Sequence, residues 1–450
     1  MNGINGISGM DRRTMMKGAA LSALLLPAPA SAQQEQSAAA SATITGSGST
    51  TIMTGKFTTD RLERMHKVMA GHVESGDVPG LVWAVSRGGE THVEAAGALA
   101  LGGTAPMRRD SIFRIASLTK PVTAVAAMIL VEESRLRLDD PVDRWLPELA
   151  HRKVLKAIDG QLTDTVPASR PITLRDLLTL RFGVGAIMVY PFAYPVQHAM
   201  AEAGIAPSAD LYRGSPDAFM KAVGSLPLAH QPGKGWLYHT GLDVAGVLVA
   251  RVVGQPLSAF MQERIFGPLG MKDTGFHVPA EKVDRLATAY SRDFQSGKLG
   301  VYDEAKGGLF ARPAIFESGG GGLVSTADDY LAFQRMMLGK GKLGSQRILS
   351  RASVELMTSD QLTDEQKASA AMFFNGNSGW GLGMSVALKR DNLFTTPGRF
   401  GWDGGYGTSA YADPANDFAG ILLSQKLMDS PEAPKHYVDF WTSAYQAIEG

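Results

Sequence analysis

Ser117 and Lys120 open the stretch SIFRIASLTKPVTAVAAMILVEE, residues 111–133. Residues three apart share one face of a helix, so the hydroxyl and the amine would stand one turn apart on the same side. Pro121 is tolerated only in a first helical turn. That places Ser117 at the helix start, where the positive end of the dipole favours a developing alkoxide. An N-cap serine beside a surface lysine is the plain alternative to a nucleophile beside its base. Two features favour the chemistry. This is the chain's only Ser-x-x-Lys, and it opens the most apolar helical run, where a lysine without a task is expensive to bury. A free lysine titrates at about 10.4, so holding it neutral near pH 7 costs roughly 4–5 kcal/mol. Burial supplies part of that shift. A tyrosine at about 10 has the same difficulty, but a Lys–Tyr pair sharing a proton titrates as a unit and can serve as base. Tyr238, in QPGKGWLYHTGLDVAGVLVARVVGQPL (231–257), stands in a Gly-rich turn just before an apolar helix. It is a candidate for that partner, and the plainer reading of any one tyrosine is a core residue with a satisfied hydroxyl.

These groups need a scaffold, and the hydrophobic pattern outlines one. Leu62, Met65, Val68, Met69 and Val73 recur at helical spacing. LVWAV and THVEAAG flank Arg87-Gly88-Gly89-Glu90 as a hairpin would. Ala124 to Glu133 carries no Gly or Pro and is nearly all apolar, which predicts a helix buried on most sides. Thr173 to Leu180 reads as a short helix capped by Thr173 with Asp176 at its third position, and Leu242 to Val253 as another. GGLVS, GWGLGMSVAL, TSAYADP and AGILLSQ read as strands, and Tyr437 to Ile448 as a last amphipathic helix. The expected fold is α/β of the α+β kind. One domain (58–145 and 305–450) carries the sheet and is built from both ends of the chain, and a mostly helical domain (146–304) is inserted between them. Gly319 to Gly322 precedes no Lys-Ser/Thr and reads as a tight approach before a helix capped at Ser325, not as a phosphate loop. MVYPFAYP (188–195) reads equally as a pocket wall and as a buried loop.

Composition narrows the classes. The 450 residues are 44% hydrophobic, ample for a large core. Lys+Arg and Asp+Glu are both 44, which gives no basic field for nucleic acid. No cysteine is present, so disulfides and thiolate metal sites are excluded. The nine histidines form no His-Glu-x-x-His, and no Gly-x-Ser-x-Gly elbow occurs. Residues 1–32 read as an export signal: Arg12, Arg13 and Lys17, a short apolar stretch from Ala19 to Leu26, and a small-residue site at Ala30-Ser31-Ala32. Arg12-Arg13-Thr14-Met15-Met16-Lys17 resembles a twin-arginine signal for proteins exported folded. The expected location is periplasmic or secreted, with no membrane span after signal removal. Residues 33–57, rich in Ser, Ala, Thr, Gly and Gln, read as a linker.

With these motifs in order, the chain from about 58 to 448 resembles the serine β-lactamase and penicillin-binding-protein-like superfamily. The class C-like branch is the nearer one, and the likeness is greatest to family VIII carboxylesterases. ITLRDLLTLRFGVG, GGGGLVSTADDYLAF, GWGLGMSV and FGWDGGYGTSAYADP are its further landmarks. The resemblance implies a β-lactamase-like antiparallel sheet flanked by helices, with Ser117 as nucleophile and Lys120 and Tyr238 as its bases. It also implies an oxyanion hole from the backbone N–H groups of Ser117 and Gly405. Two departures stand out. Tyr238-His239-Thr240 ends in threonine where β-lactamases have asparagine, and Lys-Thr-Gly is absent, with Trp402-Asp403-Gly404 in its place. Trp402 would bring an apolar ring to that position, and Asp403 a charge that repels a substrate carboxylate.

The implied activity is hydrolysis of small carboxylic esters through an acyl-enzyme, without metal or cofactor. The same machinery fits a β-lactamase, a D-amino-acid peptidase or amidase, or an acyltransferase. A non-catalytic peptidoglycan- or peptide-binding relative is the reading of another class. Intact Ser117, Lys120 and Tyr238 speak against it, and fluorophosphonate labelling separates the two.

Overall fold

The computed structural model describes residues 57–374 and 376–448. The expected export signal lies outside them, as does the expected linker apart from Phe57, which is buried in the core. One compact unit holds the described residues 57–187 and 194–448. Residues 188–193 fall outside that unit: the Tyr190–Pro191 peptide is cis, and the Tyr190 and Phe192 rings lie 5.6 Å apart.

Six helices frame the site: α1 (Thr59–Glu74), α2 (Thr119–Glu132), α3 (Leu174–Leu178), α4 (Thr240–Val253), α5 (Ala327–Leu338) and α6 (Lys435–Ala447). The main sheet has seven strands: β1 (Gly80–Arg87), β2 (Glu90–Gly97), β3 (Ser378–Trp380), β4 (Ser385–Ala387), β5 (Phe400–Gly404), β6 (Thr408–Asp413) and β7 (Phe418–Ser424). Their order is β3-β4-β5-β6-β7-β1-β2, antiparallel throughout. The hairpin β1–β2 turns at Gly88 and Gly89, whose φ of 54° and 88° suit the tight two-residue loop. Strand β1 then closes on β7, with Leu81 opposite Ser424.

Side chains alternate along β1. Leu81, Trp83 and Val85 face one core, shared with Met65 and Met69 of α1 and with Phe440 and Trp441 of α6. Each such large apolar side chain contributes roughly 1.5–3 kcal/mol on burial. Helix α5 covers the opposite face over β6, β7 and β1, while α2 packs on α4 and α4 on α3. The α3 start is the expected capping box, with Thr173 and Asp176 each satisfying the other's backbone.

Three local expectations change. Val324–Ser325, from GGLVS, pairs with Phe113–Arg114 in a separate two-stranded ribbon. GWGLGMSVAL splits into β3 and β4 because Gly383, at φ 84°, turns the chain against α2, where a Cβ would meet that of Ala124 at 2.6 Å. The cap of α5 is Thr326, whose side chain accepts from Asp329 N–H, while the Ser325 hydroxyl pairs with that of Thr274 at 2.8 Å. Among the described residues no single helix is long and apolar enough to cross a membrane.

Candidate active site

Ser117 lies in the 3₁₀ turn Ala116–Leu118 that runs directly into α2. Ala116 before it has φ 44°, a left-handed conformation that a non-glycine residue keeps only when its surroundings hold it. They do so from three sides. Thr408 Oγ1 of β6 donates to the Ile115 carbonyl (3.1 Å), Tyr330 Oη of α5 donates to the Leu118 carbonyl (2.9 Å), and Leu323 N–H donates to Thr119 Oγ1 (3.1 Å). Ser117 is buried, the N-cap position of α2 falls on Leu118, and the Ser117 hydroxyl oxygen faces Lys120.

Lys120 is fully buried. Its Nζ lies 2.9 Å from Ser117 Oγ, 2.6 Å from the Gly320 carbonyl oxygen and 3.2 Å from His239 Nδ1. Burial disfavours the ammonium and pushes Lys120 down to about 7, against an opposing pull from Asp243. The Tyr238 hydroxyl accepts from Trp402 Nε1 at 2.5 Å and lies near enough to Ser117 for that side chain to favour its ionised form. Burial drives the phenol well above its ordinary range, with Asp403 adding to the rise. Lys120 Nζ stands 4.5 Å from the centroid of the Tyr238 ring, over its face. The Lys120 amine thus meets the face of the Tyr238 ring and ends on Ser117, in place of the direct Lys–Tyr pair that the sequence suggested. Their environments push them apart, one towards a neutral amine and the other towards a protonated phenol, which is the pattern of a base and an acid.

Tyr238 is held by aromatic neighbours: Trp236 and Phe373 stack on it at 5.7 and 5.4 Å, and Trp402 lies 5.7 Å away. Thr240, the third residue of its motif, turns into α4 with its hydroxyl buried and unpaired. The second residue, His239, is the one that reaches Lys120. Sequence reasoning passed over His239, Asp243 and Gly320. The i,i+4 spacing of His239 and Asp243 was visible, but that the helix turns this face to Lys120 was not. A backbone carbonyl such as Gly320 leaves no signal in residue type.

Strand alternation separates the pair at the third motif. The Trp402 ring faces Tyr238, while the Asp403 carboxylate takes bonds from Ser409 Oγ (2.5 Å) and Tyr411 Oη (3.2 Å) on the α6 side of the sheet. Asp403 is thus not beside the Trp402 ring, and the expected repulsion of a substrate carboxylate by its charge is withdrawn. Gly404 abuts the Ile115 carbonyl, where a Cβ would come within 2.5 Å, so the end of β5 lies against the turn bearing Ser117. Gly405 follows directly.

The sequence profile of the family described as Beta-lactamase matches residues 65–439. The chain belongs to the β-lactamase family. Protein Rv1367c of Mycobacterium tuberculosis is 41% identical over 333 residues, 72% of this chain and 80% of that protein. Esterase EstB of Burkholderia gladioli is 33% identical over 376 residues, 79% of this chain and 88% of that protein. Among solved structures, the one described as EstCE1, a hydrolase with promiscuous acyltransferase activity, superposes with a TM-score of 0.72 at 26% identity, covering 86% of this chain and 98% of that one. Against the Lys-Thr-Gly of β-lactamases, this member of the family presents an indole hydrogen-bonded to Tyr238. Two cations on other loops bear on the replacement of that lysine: Arg181 is tied to Thr179 and Gln366, and Lys234 is exposed on a turn.

Proposed function

We propose that this chain is a carboxylesterase that works through an acyl-enzyme on Ser117. The observation that carries the reading is the fully buried Lys120 with its amine 2.9 Å from Ser117 Oγ. Ser117 Oγ attacks the ester carbonyl carbon while its proton passes to neutral Lys120. The carbonyl oxygen becomes an oxyanion, held by the backbone N–H groups of Ser117 and Gly405. As the bond from the carbonyl carbon to the alkoxy oxygen breaks, the proton taken from Ser117 returns to the leaving alcohol, with Lys120 and Tyr238 as the general acid. Water then attacks the acyl-enzyme with its proton taken up by the same groups, and Ser117 leaves as the hydroxyl. An alcohol in place of water gives acyl transfer, which the description of EstCE1 makes a natural second assay.

Substrate choice follows from Trp402. A charge-assisted contact to a substrate carboxylate is worth roughly 1.5–3 kcal/mol. At about 1.4 kcal/mol per factor of ten, its absence costs about 10–100-fold on an acidic substrate. An uncharged ester loses nothing. The expected result is a much higher kcat/KM for p-nitrophenyl butyrate than for nitrocefin on one preparation; the reverse order would assign the chain to β-lactam hydrolysis.

We also propose export to the periplasm or beyond, on the strength of Arg12-Arg13 and the apolar run that follows. Replacing Arg12 and Arg13 together by lysine is expected to leave the protein in the cytoplasmic fraction. An unchanged distribution would remove the twin-arginine reading.

A further inference from the structure

The three partners of Lys120 Nζ are not equivalent. An ammonium has three N–H groups and no lone pair; a neutral amine has two N–H groups and one lone pair. The Gly320 carbonyl oxygen can only accept. His239 Nδ1 also only accepts, provided the ring proton is on Nε2. Ser117 Oγ is the partner that can give a proton. With the two acceptors occupied by the amine's N–H groups, its lone pair has one direction left, towards Ser117.

Asp243 decides where the imidazole proton sits. Its Oδ2 lies 3.0 Å from His239 Nε2. Its Oδ1 already accepts from Ser318 Oγ (2.6 Å) and from the Gly320 N–H (2.8 Å). A carboxylate only accepts, so the proton is on Nε2 and Nδ1 is bare. Burial, reinforced by the neighbouring Lys120 charge, lowers His239 below its ordinary value and keeps the ring neutral. The backbone is committed to this arrangement. His239 has φ 83° and ψ −68°, and Thr240 N–H donates to the Tyr238 carbonyl at 3.3 Å, which is a γ-turn of the rare, strained hand.

We propose that His239 and Asp243 are a positioning pair: Asp243 fixes the imidazole tautomer, and the imidazole fixes the rotation of the Lys120 amine so that its lone pair meets Ser117 Oγ. The inference rests on the reading of Lys120 as the base for Ser117. His239 acts through Lys120 Nζ, and Asp243 acts through His239.

Asp243→Asn gives a defined consequence. Ser318 Oγ–H and Gly320 N–H both donate into the Oδ1 position, so the amide oxygen stays there and its NH₂ faces His239 Nε2. The ring proton then moves to Nδ1, where it confronts Lys120. The expected loss in kcat/KM is on the order of 10²-fold or more, the scale set by a wrong tautomer beside a nucleophile. His239→Ala removes the acceptor and is expected to lose roughly 10²-fold. His239→Asn returns an amide oxygen near the Nδ1 position on a side chain that tolerates positive φ, and is expected to stay within about tenfold of the parent.

The pH profile adds a readout that packing alone would not move. The titratable groups facing Lys120 Nζ are Tyr238, His239 and Asp243; the loop at Gly320 and the turn at Gly383 bring only Ser318 and backbone. Neutral Lys120 is the active form, so the parent is expected to lose activity below a limb at about 7. The Asp243 charge holds the Lys120 value up, so Asp243→Asn is expected to move that limb to lower pH. Folded Asp243→Asn and His239→Ala proteins within about threefold of the parent would overturn the pair while leaving Ser117 and Lys120 in their roles. So would equal losses in His239→Ala and His239→Asn with an unmoved limb. An active Ser117→Ala protein would instead reject the underlying reading. The unmodified protein gives a test independent of any variant's folding: nitrogen-15 spectra should show His239 as the Nε2–H tautomer, and an Nδ1–H ring would overturn the proposal.

Discussion

Replacing Ser117 by alanine is expected to lower kcat by roughly 10³–10⁶-fold, the range seen when a nucleophile acting in a unit is removed. The fold should survive. The turn that carries Ser117 is anchored through Ile115, Leu118 and Thr119, none of which depends on the serine side chain. Lys120 keeps the Gly320 carbonyl and His239 as partners. The stability change is therefore expected to stay within about 1 kcal/mol, so a melting curve like that of the parent separates lost chemistry from lost structure. A fluorophosphonate should add its mass to the parent on the peptide containing Ser117 and not to the variant. Turnover equal to the parent in a folded Ser117→Ala protein would remove the whole reading.

Lys120→Met and Tyr238→Phe are each expected to cost about 10²–10⁴-fold. Methionine suits the first test because it fills the buried channel in α2 without a charge. Phenylalanine keeps the stack with Trp236 and Phe373 but takes away the acceptor for Trp402 Nε1, so a modest stability loss, about 1–3 kcal/mol for an unpaired buried group, accompanies it. The informative quantity is the double variant. The proposal makes both groups handle the same Ser117 proton, so removing the second should cost far less once the first is gone. Losses that multiply in full would place Tyr238 in a step separate from Lys120.

Much of this was legible before the structure, and the reasons differ from residue to residue. Periodicity marked α1 and the buried α2, and Gly88-Gly89 marked the hairpin, because these depend on local pattern. Ser117 and Lys120 stood out by residue type and spacing, whereas Tyr238 was singled out through the family resemblance of its segment. Three things were not legible. The partition of the two bases, amine down and phenol up, depends on burial supplied by distant segments. The opposite facing of Trp402 and Asp403 follows from strand alternation, yet only once β5 was known to be a strand with α6 behind it. The His239–Asp243 pair needed a γ-turn that no propensity favours at a histidine, since a positive φ there is a cost that only the surrounding structure can hold in place.

The closure of β1 on β7 also sets when the site can come into being. Leu81 and Trp83 wait, unpaired along one edge, for Ser424 and Leu422 to be made. Thr408, which braces the turn before Ser117, comes from the same late part of the chain. During synthesis the hairpin β1–β2 emerges early with a bare apolar edge, and the nucleophile helix follows it without the strands that give it shape. Contacts so far apart in sequence fold slowly and leave such edges open to other chains meanwhile. A chain halted between Tyr238 and β5 holds Ser117, Lys120 and Tyr238 without Trp402 or Thr408, the residues of β5 and β6 that meet Tyr238 and brace the turn before Ser117.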